Sequence, residues 1–289
     1  MTRRGFLLFA AMCVIWGIPY LLIRVAVREV TPATLVFGRT ALAAALLLPL
    51  AAARGELRRV LPHWRALLVF AAVEIALPWL LLSSAERRLT SSLTALLIAA
   101  VPLVGAVTVM VAGGDDRLGR RRLAGLLIGI AGVAAVVGVN VGHVSVLALA
   151  MVAGVAVGYA LGPLILARYL NDLPNIGVIA ASLALCAVAY APVFALQLPA
   201  QVPSARVLAS IAGLALVCTA LAFVVFFALI AEAGPVRATV ITYVNPAVAA
   251  VLGVAVLSER FTYGMGIGFA LVLLGSYLAT VRTRTVVEP

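Results

Sequence analysis

The chain has 289 residues, of which 65% are hydrophobic and only 11% are charged. Soluble domains carry about 25% charged residues, so this composition excludes an ordinary soluble globular protein. The formal net charge is +11, and all 21 basic residues are Arg. A nucleic-acid-binding protein is disfavoured, because the short basic clusters flank apolar segments and no soluble module presents them. The composition predicts a protein embedded in a lipid bilayer.

Apolar segments long enough to cross a bilayer follow one another along nearly the whole chain. A hydrocarbon core of about 30 Å needs about 20 apolar residues in a helix that rises about 1.5 Å per residue. We predict ten transmembrane helices, with spans at 5–26, 34–53, 65–84, 90–112, 122–140, 145–167, 175–197, 206–229, 236–257 and 264–281. The expected fold class is therefore an all-α integral membrane protein.

The arginines are distributed unevenly over the connections between these spans. With the N-terminus inside, 14 of them lie on the inner side and 5 on the outer side, while Arg24 and Arg39 lie in or near spans. Cytoplasmic connections collect Lys and Arg, so both termini are predicted to be cytoplasmic. Arg24 and Arg39 could attract a substrate carboxylate, but we favour the interpretation that they snorkel to the interface.

The two halves of the chain carry matching residues at a nearly constant offset. The pairs, at offsets of 144 or 143, are Pro19/Pro163, Arg24/Arg168, Pro102/Pro246, Pro49/Pro192, Gly125/Gly268, Gly132/Gly275 and Asp116-Arg117-Leu118/Glu259-Arg260-Phe261. Each half holds five spans, an odd number, so the second half must enter the membrane in the opposite orientation. We predict two inverted five-helix repeats, residues 1–143 and 144–289.

Prolines lie inside several spans, and two pairs of them are equivalent between the repeats. A proline lacks the N–H that would bond the carbonyl four residues earlier, so each one frees a backbone acceptor within the bilayer. Broken helices at corresponding positions indicate a central site in many transporters, whereas plain kinks are the alternative. We predict helix breaks or gating points at Pro19, Pro78, Pro102, Pro163 and Pro246.

Glu74 lies in the middle of a predicted span, whereas the other nine acids lie in connections or at span ends. A carboxylate at that depth is unfavourable by a few kcal/mol and usually faces a cavity or a partner. Glu74 is therefore a candidate to bind a substrate ammonium or a coupling proton. The alternative is a protonated side chain that hydrogen bonds to a neighbouring helix.

Aromatic side chains lie at or near the proline levels on spans one, three, six, eight and nine. Their ring faces, with a few polar groups, would suit an aromatic or large apolar amino acid. Interfacial anchoring or packing against lipid is the alternative. The candidate substrate-binding residues are Glu74, Trp79, Trp16, Tyr20, Tyr159, Tyr243, Asn245, Phe223 and Phe227.

Small residues form stripes on the fifth and tenth spans. Gly125, Gly129 and Gly132 follow helical spacing on the fifth, and Gly264 and Gly268 do so on the tenth. Such stripes let two helices approach closely. They could close each repeat internally or join two protomers, so the pattern does not decide between a monomer and a homodimer.

Another set of residues, taken together, resembles a known family. Its members are Trp16-Gly17, Arg24, Pro32, Arg39, Pro102, Asp116-Arg117-Leu118, Gly125, Gly234-Pro235, Tyr243, Pro246, Gly253, Glu259-Arg260 and Gly268. The pattern is similar to the drug/metabolite transporter superfamily, in its EamA-type ten-helix branch, and most like the bacterial amino-acid exporters, including the aromatic amino-acid exporter. The resemblance implies a bacterial inner-membrane carrier, with both termini in the cytoplasm, that exports small metabolites. Two positions depart from the pattern, because Asp116 stands where the branch more often has Glu and Leu183 replaces a second copy of Arg39.

The predicted function is secondary transport by alternating access at a central cavity between the repeats. The chain has no HExxH, GxSxG or Walker motif, so we expect neither an enzyme nor an ATP-driven pump, and no cofactor or metal site. A channel would need a more continuous polar lining. Expected partners are the lipid bilayer, a small-molecule substrate and a coupling proton. A multidrug or other hydrophobic-metabolite exporter of the same superfamily is the alternative to an amino-acid exporter.

Overall fold

The computed structural model describes residues 2–111, 120–138, 145–199 and 201–280. Their helices are α1 (Arg3–Ile15 and Ile18–Ala26), α2 (Pro32–Ala53), α3 (Glu56–Ala85), α4 (Ser91–Ile98 and Val101–Val111), α5 (Arg120–Gly138), α6 (Val146–Tyr169), α7 (Asn175–Leu196), α8 (Ala205–Ala233), α9 (Pro235–Ala238 and Ile241–Leu257) and α10 (Tyr263–Thr280). Within these residues, nine helices are long and apolar enough to cross a membrane, and Ile241–Leu257 is a shorter apolar helix. The all-α membrane fold is confirmed.

Polar side chains fix where several of these helices begin. Thr31, Thr90 and Ser204 precede α2, α4 and α8, and each accepts a hydrogen bond from the amide three residues later. Such caps satisfy amides that have no partner within the helix. We name the side of the bundle where α1 begins the inner side, which is the predicted cytoplasmic side, and we name the opposite side the outer side.

Three acids, two in connections and one at the start of α3, accept hydrogen bonds from the start of a different helix. The contacts join Glu29 to the amide of Ser204 before α8 at 2.7 Å, Glu56 to Gly177 of α7 at 2.7 Å, and Glu259 to Ser91 of α4 at 2.8 Å. The hydrogen bonds from Ser204 lower the pKa of the exposed Glu29 carboxyl. Each contact joins connections on one side of the bundle, so the helix ends alternate between sides as the ten-span topology requires.

Helices α5 and α10 pack through their glycines with almost no space between the backbones. A Cβ atom added at Gly132 would lie 2.8 Å from the carbonyl oxygen of Gly268, and one added at Gly125 would lie 2.8 Å from that of Gly275. The two helices are therefore antiparallel. Because Gly125 corresponds to Gly268 and Gly132 to Gly275, the two contacts are symmetric copies of each other, as inverted repeats require.

The same symmetry relates other helix pairs. Helix α2 packs against α7, and α4 packs against α9, so equivalent helices of the two halves face each other. Helix α1 packs against α8, and its counterpart α6 packs against α3. These pairings interleave the repeats into one bundle. The predicted boundary between residues 143 and 144 lies outside the described residues, as do Asp116-Arg117-Leu118 and His143.

Both halves also contain a wide helical turn that the sequence pattern did not predict. Helix α3 is a π-helix over Ala71–Ala76, and α8 is a π-helix over Leu216–Leu221. The two segments are 145 residues apart, so they occupy equivalent places in the repeats. Single π turns are rare and often occur at functional sites. Glu74 of α3 and Thr219 of α8 are each the fourth residue of their π segment, so they lie at the same level of the two halves.

Candidate substrate site

Helix α1 breaks in the middle of its span. Arg3–Ile15 ends at Trp16, and the second segment begins after Gly17, so the break lies just ahead of Pro19. Gly17 is required there for close approach, because an added Cβ would lie 2.5 Å from the side chain of Val248 on α9. The predicted interruption at Pro19 is thus present, and it places the Trp16 side chain where two segments meet.

The other prolines behave differently from one another. Helix α4 is interrupted just before Pro102, and the π turn of α3 lies just before Pro78. Pro163 and Pro246, in contrast, lie inside continuous helices, so the prediction of breaks at these two positions is wrong. A missing N–H donor frees a carbonyl without forcing the surrounding turns to open, because neighbouring groups can satisfy it. Equivalent sequence positions in the repeats therefore do not have equivalent backbones here.

Helix α7 supplies the donors for the wide turn of α3. The Tyr190 hydroxyl donates to the carbonyl of Ala76 at 2.9 Å, and the Cys186 thiol donates to that of Ala71 at 3.6 Å. These contacts hold the turn open by satisfying acceptors that a regular α-helix would satisfy itself. They give Cys186, one of the three cysteines of the chain with Cys13 and Cys218, a specific partner. All three cysteines are free and buried.

Glu74 projects from this turn onto a glycine of α6. A Cβ atom added at Gly162 would overlap the Glu74 carboxyl, and one added at Gly158 would lie 2.6 Å from Cγ of Pro78. The Glu74 Oε2 atom is buried and has no hydrogen-bond partner among the described residues. The alternative in which Glu74 hydrogen bonds to a neighbouring helix therefore does not account for this oxygen. An acceptor left without a donor in a buried place is unfavourable unless a ligand or proton satisfies it.

Arg39 lies in the core of the bundle and not at the interface. Its side chain is 7% exposed, and its Nε atom donates to the Thr219 hydroxyl at 2.8 Å. Its guanidinium carbon lies 3.5 Å from the centre of the Trp79 ring. The favoured interpretation that Arg39 snorkels to the interface is wrong. That interpretation was based on the position of Arg39 near one end of α2. The sequence alone does not show that Thr219 and Trp79 flank this position in the fold.

Among the described residues, no acid compensates the charge of Arg39. Within the described part of the chain, no carboxylate oxygen lies within 4.0 Å of its guanidinium, and Thr219 is its hydrogen-bond acceptor. Thr219 in turn donates to the carbonyl of Leu214 at 2.8 Å, so its hydroxyl is oriented to accept from Arg39. A buried cation usually has an anionic partner. The Nη atoms of Arg39 are thus available to a negatively charged group of a ligand.

Tyr159 of α6 packs against two buried clusters of the bundle, one of which contains Trp79. It is near enough to Arg39 and Glu74 for their charges to act on its hydroxyl. Tyr20 of α1 interacts with Tyr159 and Arg39 in the same way. We name the central cluster as Tyr20, Arg39, Glu74, Trp79, Tyr159 and Thr219. Its members come from five helices in both repeats.

Aromatic rings extend from the break in α1 to α8. The Trp16 ring centre lies 4.7 Å from that of Phe226 and 6.1 Å from that of Phe223, and Phe223 and Phe227 lie 6.1 Å apart. Phe223, Phe227 and Tyr159 pack against the buried cluster that contains Trp79. The predicted residues Trp16, Phe223 and Phe227 therefore form one wall with Phe226, and this wall adjoins the central cluster.

Two predicted site residues lie elsewhere. The Tyr243 hydroxyl lies 3.4 Å from that of Thr280, near the inner ends of α9 and α10. The Asn245 amide, in the orientation that satisfies its neighbours, donates to the carbonyls of Ile241 at 3.0 Å and Cys13 at 3.1 Å. Asn245 thus joins α9 to α1 beside the break. Both residues make contacts between helices and lie outside the central cluster.

Two surface depressions are separate from the cluster. One, with a volume of about 420 Å³, is lined by Pro62, His63, Trp64, Arg65, Ala66 and Tyr169 on the inner side. The other, of about 400 Å³, is lined by Glu29, Pro199, Gln201, Val202 and Pro203 on the outer side. Neither includes a residue of the central cluster, whose members are buried or half-buried.

A bundle of apolar helices in two inverted halves, with polar side chains enclosed between the halves, defines the class of multi-pass membrane transporters. Residues 3–138 and 146–281 each match the EamA-like transporter family. The chain belongs to this family, and it is a membrane transporter of the drug/metabolite transporter type.

The fold occurs in solved structures as well. Eleven chains of solved structures match significantly. One of them, described only as the crystal structure of a protein, matches with a TM-score of 0.68 and 21% identity, and the match covers 97% of each chain. At this identity the likeness shows the fold alone. No protein of curated function matches the chain.

Proposed function

We propose that the protein exports amino acids with aromatic or large neutral side chains across the bacterial inner membrane, with both of its termini in the cytoplasm. Transport follows alternating access, in which the two inverted repeats rock about a site enclosed between them. The central cluster, including Glu74, Trp79, Tyr20 and Tyr159, forms the polar part of that site. The wall of Trp16, Phe223, Phe226 and Phe227 forms its apolar part.

One observation carries this proposal: the central cluster contains a buried cation and a buried carboxyl, each with unused hydrogen-bonding capacity. Arg39 has no carboxylate partner among the described residues, and the Oε2 atom of Glu74 has no donor. An amino acid carries one carboxylate and one ammonium on neighbouring atoms. Its carboxylate would pair with the Arg39 guanidinium, for which two parallel hydrogen bonds are the favoured geometry, and its ammonium would donate to Glu74.

Trp79 fits this arrangement because it holds the guanidinium of Arg39 in place. Trp79 lies against the guanidinium of Arg39, and Tyr159 lies near both Arg39 and Glu74. Stacking on an aromatic face restricts the guanidinium to one plane, which prepares it for a planar carboxylate. The adjacent rings of the apolar wall favour a substrate with a large apolar side chain.

Export of hydrophobic cationic drugs is the second candidate, because the aromatic wall together with Glu74 would suit a flat cation. Arg39 disfavours it, since a second buried positive charge would repel the ligand. Helix breaks and wide turns at the level of the site support rocking of the halves in either case. The two candidates differ in whether Arg39 binds a negatively charged group of the substrate.

Substrate exchange in proteoliposomes tests the proposal. Vesicles are loaded with one unlabelled compound, and entry of the labelled compound is followed for aromatic, large aliphatic, small and charged amino acids and for a hydrophobic cationic dye. We expect saturable exchange of the aromatic and large aliphatic amino acids and none in vesicles without protein. Exchange of the dye alone, by protein that elutes as one folded species, would overturn the proposal in favour of drug export.

A further inference from the structure

Glu86 is a second enclosed acid, which the sequence pattern had placed among the acids of connections and span ends. It follows the last residue of α3 on the outer side, and its side chain is 0% exposed. Neither of its carboxyl oxygens has a hydrogen-bond partner in the described part of the chain. An ionised carboxylate in such a place would lose its hydration without gaining hydrogen bonds, so this environment favours the neutral acid.

Arg24 is a cation beside Glu86, yet it does not bind the carboxyl. Its Nη1 atom donates to the backbone carbonyl of Glu86 instead. Burial raises the pKa of the Glu86 carboxyl well above its usual value, even though Arg24 lowers it. The Arg24 guanidinium therefore lies beside the Glu86 carboxyl but binds a neutral backbone carbonyl. It could move from this carbonyl to an ionised Glu86 carboxylate.

The remaining charged groups around Glu86 come from several elements. Glu259, in the connection from α9 to α10, lies close enough to repel a negative charge on Glu86, and Ser91 and Ser92 hold it by four hydrogen bonds. Tyr20 of α1 and Tyr159 of α6 interact with Glu86 from the side of the central cluster. Helix α2 contributes the cation Arg39, which already donates a hydrogen bond to Thr219. Arg87 and Arg88, next to Glu86 in sequence, are exposed.

We propose that Glu86 binds the coupling proton of the transport cycle, and that Arg24 becomes its counter-charge when the proton leaves. This inference rests on the proposed transport function. The exchange is of one proton between the Glu86 carboxyl and solvent, so only an O–H bond forms or breaks. Arg24 belongs to the Ile18–Ala26 segment of α1, beyond the break at Trp16-Gly17, and the same segment carries Tyr20 of the central cluster. Movement of Arg24 toward an ionised Glu86 therefore shifts the half of α1 that contributes to the substrate site.

The first test needs no substrate. Infrared difference spectra of the protein, recorded between neutral and alkaline pH, report protonated carboxyl groups by their carbonyl stretch. We expect a band that titrates in the wild type and is absent from Glu86→Gln, which keeps the shape of a protonated acid. Arg24→Gln should move the midpoint to higher pH, because it removes the cation that favours the ionised form. Titration unchanged by both substitutions would overturn the assignment.

The second test separates coupling from transport. In Glu86→Gln vesicles we expect exchange of amino acids at equal pH to stay within about twofold of the wild type, and accumulation driven by a pH gradient to disappear. Accumulation equal to that of the wild type would refute the role of Glu86. If the wild-type protein exchanges no amino acid, the proposed function fails by itself, while the infrared titration still decides whether Glu86 holds the proton.

Discussion

Arg39 lies between an aromatic ring and a hydroxyl, and neither of these neutralises its charge. Thr219 accepts from Nε, and Trp79 covers the face of the guanidinium. The equivalent position in the second repeat is Leu183, which is buried in the apolar core. The pseudo-symmetric counterpart of Thr219 is Glu74. The site is therefore asymmetric in charge, with a cation from α2 and an acid from α3 but an apolar residue, Leu183, at the matching place in α7.

Replacing Arg39 by Lys tests whether the planar guanidinium matters. Lys keeps the charge but loses the Nε donor, the stacked plane and the two parallel donors for a carboxylate. We expect a loss of about 2 kcal/mol in substrate binding, or roughly 30-fold in apparent affinity. Concentration-dependent exchange in proteoliposomes gives this value. Arg58→Lys, at an exposed position on the inner side, is the matched control, and an Arg39→Lys protein with wild-type affinity would argue against paired recognition.

Sequence reasoning at the residue scale singled out Glu74 as a candidate, because an acid inside an apolar span is unusual in any structure. It did not place Arg39 in the core and did not single out Thr219 or Glu86, because their burial and contacts depend on helices distant in sequence. Tyr243 and Asn245 were included for their nearness to Pro246 along the chain, and the fold directs them to contacts with Thr280 and Cys13. A residue type can thus indicate chemistry, whereas its partners are decided by the packing of helices distant in sequence.

At the scale of elements, hydropathy located the spans well, because apolar length is the property that a bilayer requires. Helix α3 begins at Glu56 and not near residue 65, since its first turns are polar and lie before the apolar stretch. The π turns at Ala71–Ala76 and Leu216–Leu221 gave no sequence signal in common, because α3 has Pro78 after its turn and α8 has no proline there. The donors to the α3 turn come from α7, and hydropathy does not reveal such a contact.

The glycine stripes predicted close helix packing, but neither of the two expected kinds of packing, within one repeat or between two protomers, is the one that the structure shows. They join α5 of one repeat to α10 of the other within one chain, whereas we expected closure within a repeat or contact between protomers. A GxxxG pattern indicates a face that another backbone can approach, and it carries no information on which helix does so. The oligomeric state stays undecided by this feature.

Substitution of one glycine in this contact should destabilise the protein. In Gly132→Ala, the new Cβ would lie 2.6 Å from the backbone nitrogen of Val272, so α10 must move away. Overpacking of this kind costs about 1–3 kcal/mol, and we expect a lower midpoint of thermal unfolding in detergent. Gly138→Ala in the same helix is the control, since a Cβ there meets nothing within 4 Å. Equal midpoints for the two variants would contradict the close contact of α5 and α10.

At the scale of the whole molecule, the duplication was the most informative property of the sequence. An odd number of spans in each half required inversion, and the antiparallel contact of α5 with α10 follows that rule. Inversion places equivalent helices face to face, so the central cluster draws residues from both halves. The matching prolines suggested equal breaks in both halves, but only α1 and α4 of the first repeat break at them. This difference gives the two halves unequal local backbones at the same level of the bundle.

The most direct measurement for the central claim compares three ligands that share one aromatic ring: phenylalanine, phenethylamine without the carboxylate, and 3-phenylpropanoate without the ammonium. Their apparent affinities are measured by competition with labelled phenylalanine in proteoliposomes of the wild type, Arg39→Gln and Glu74→Gln. We predict that the wild type binds phenylalanine best, that Arg39→Gln reduces its affinity to that of phenethylamine, and that Glu74→Gln reduces it to that of 3-phenylpropanoate. If either substitution weakened all three ligands equally, or none of them, Arg39 and Glu74 would not hold the two ends of an amino acid.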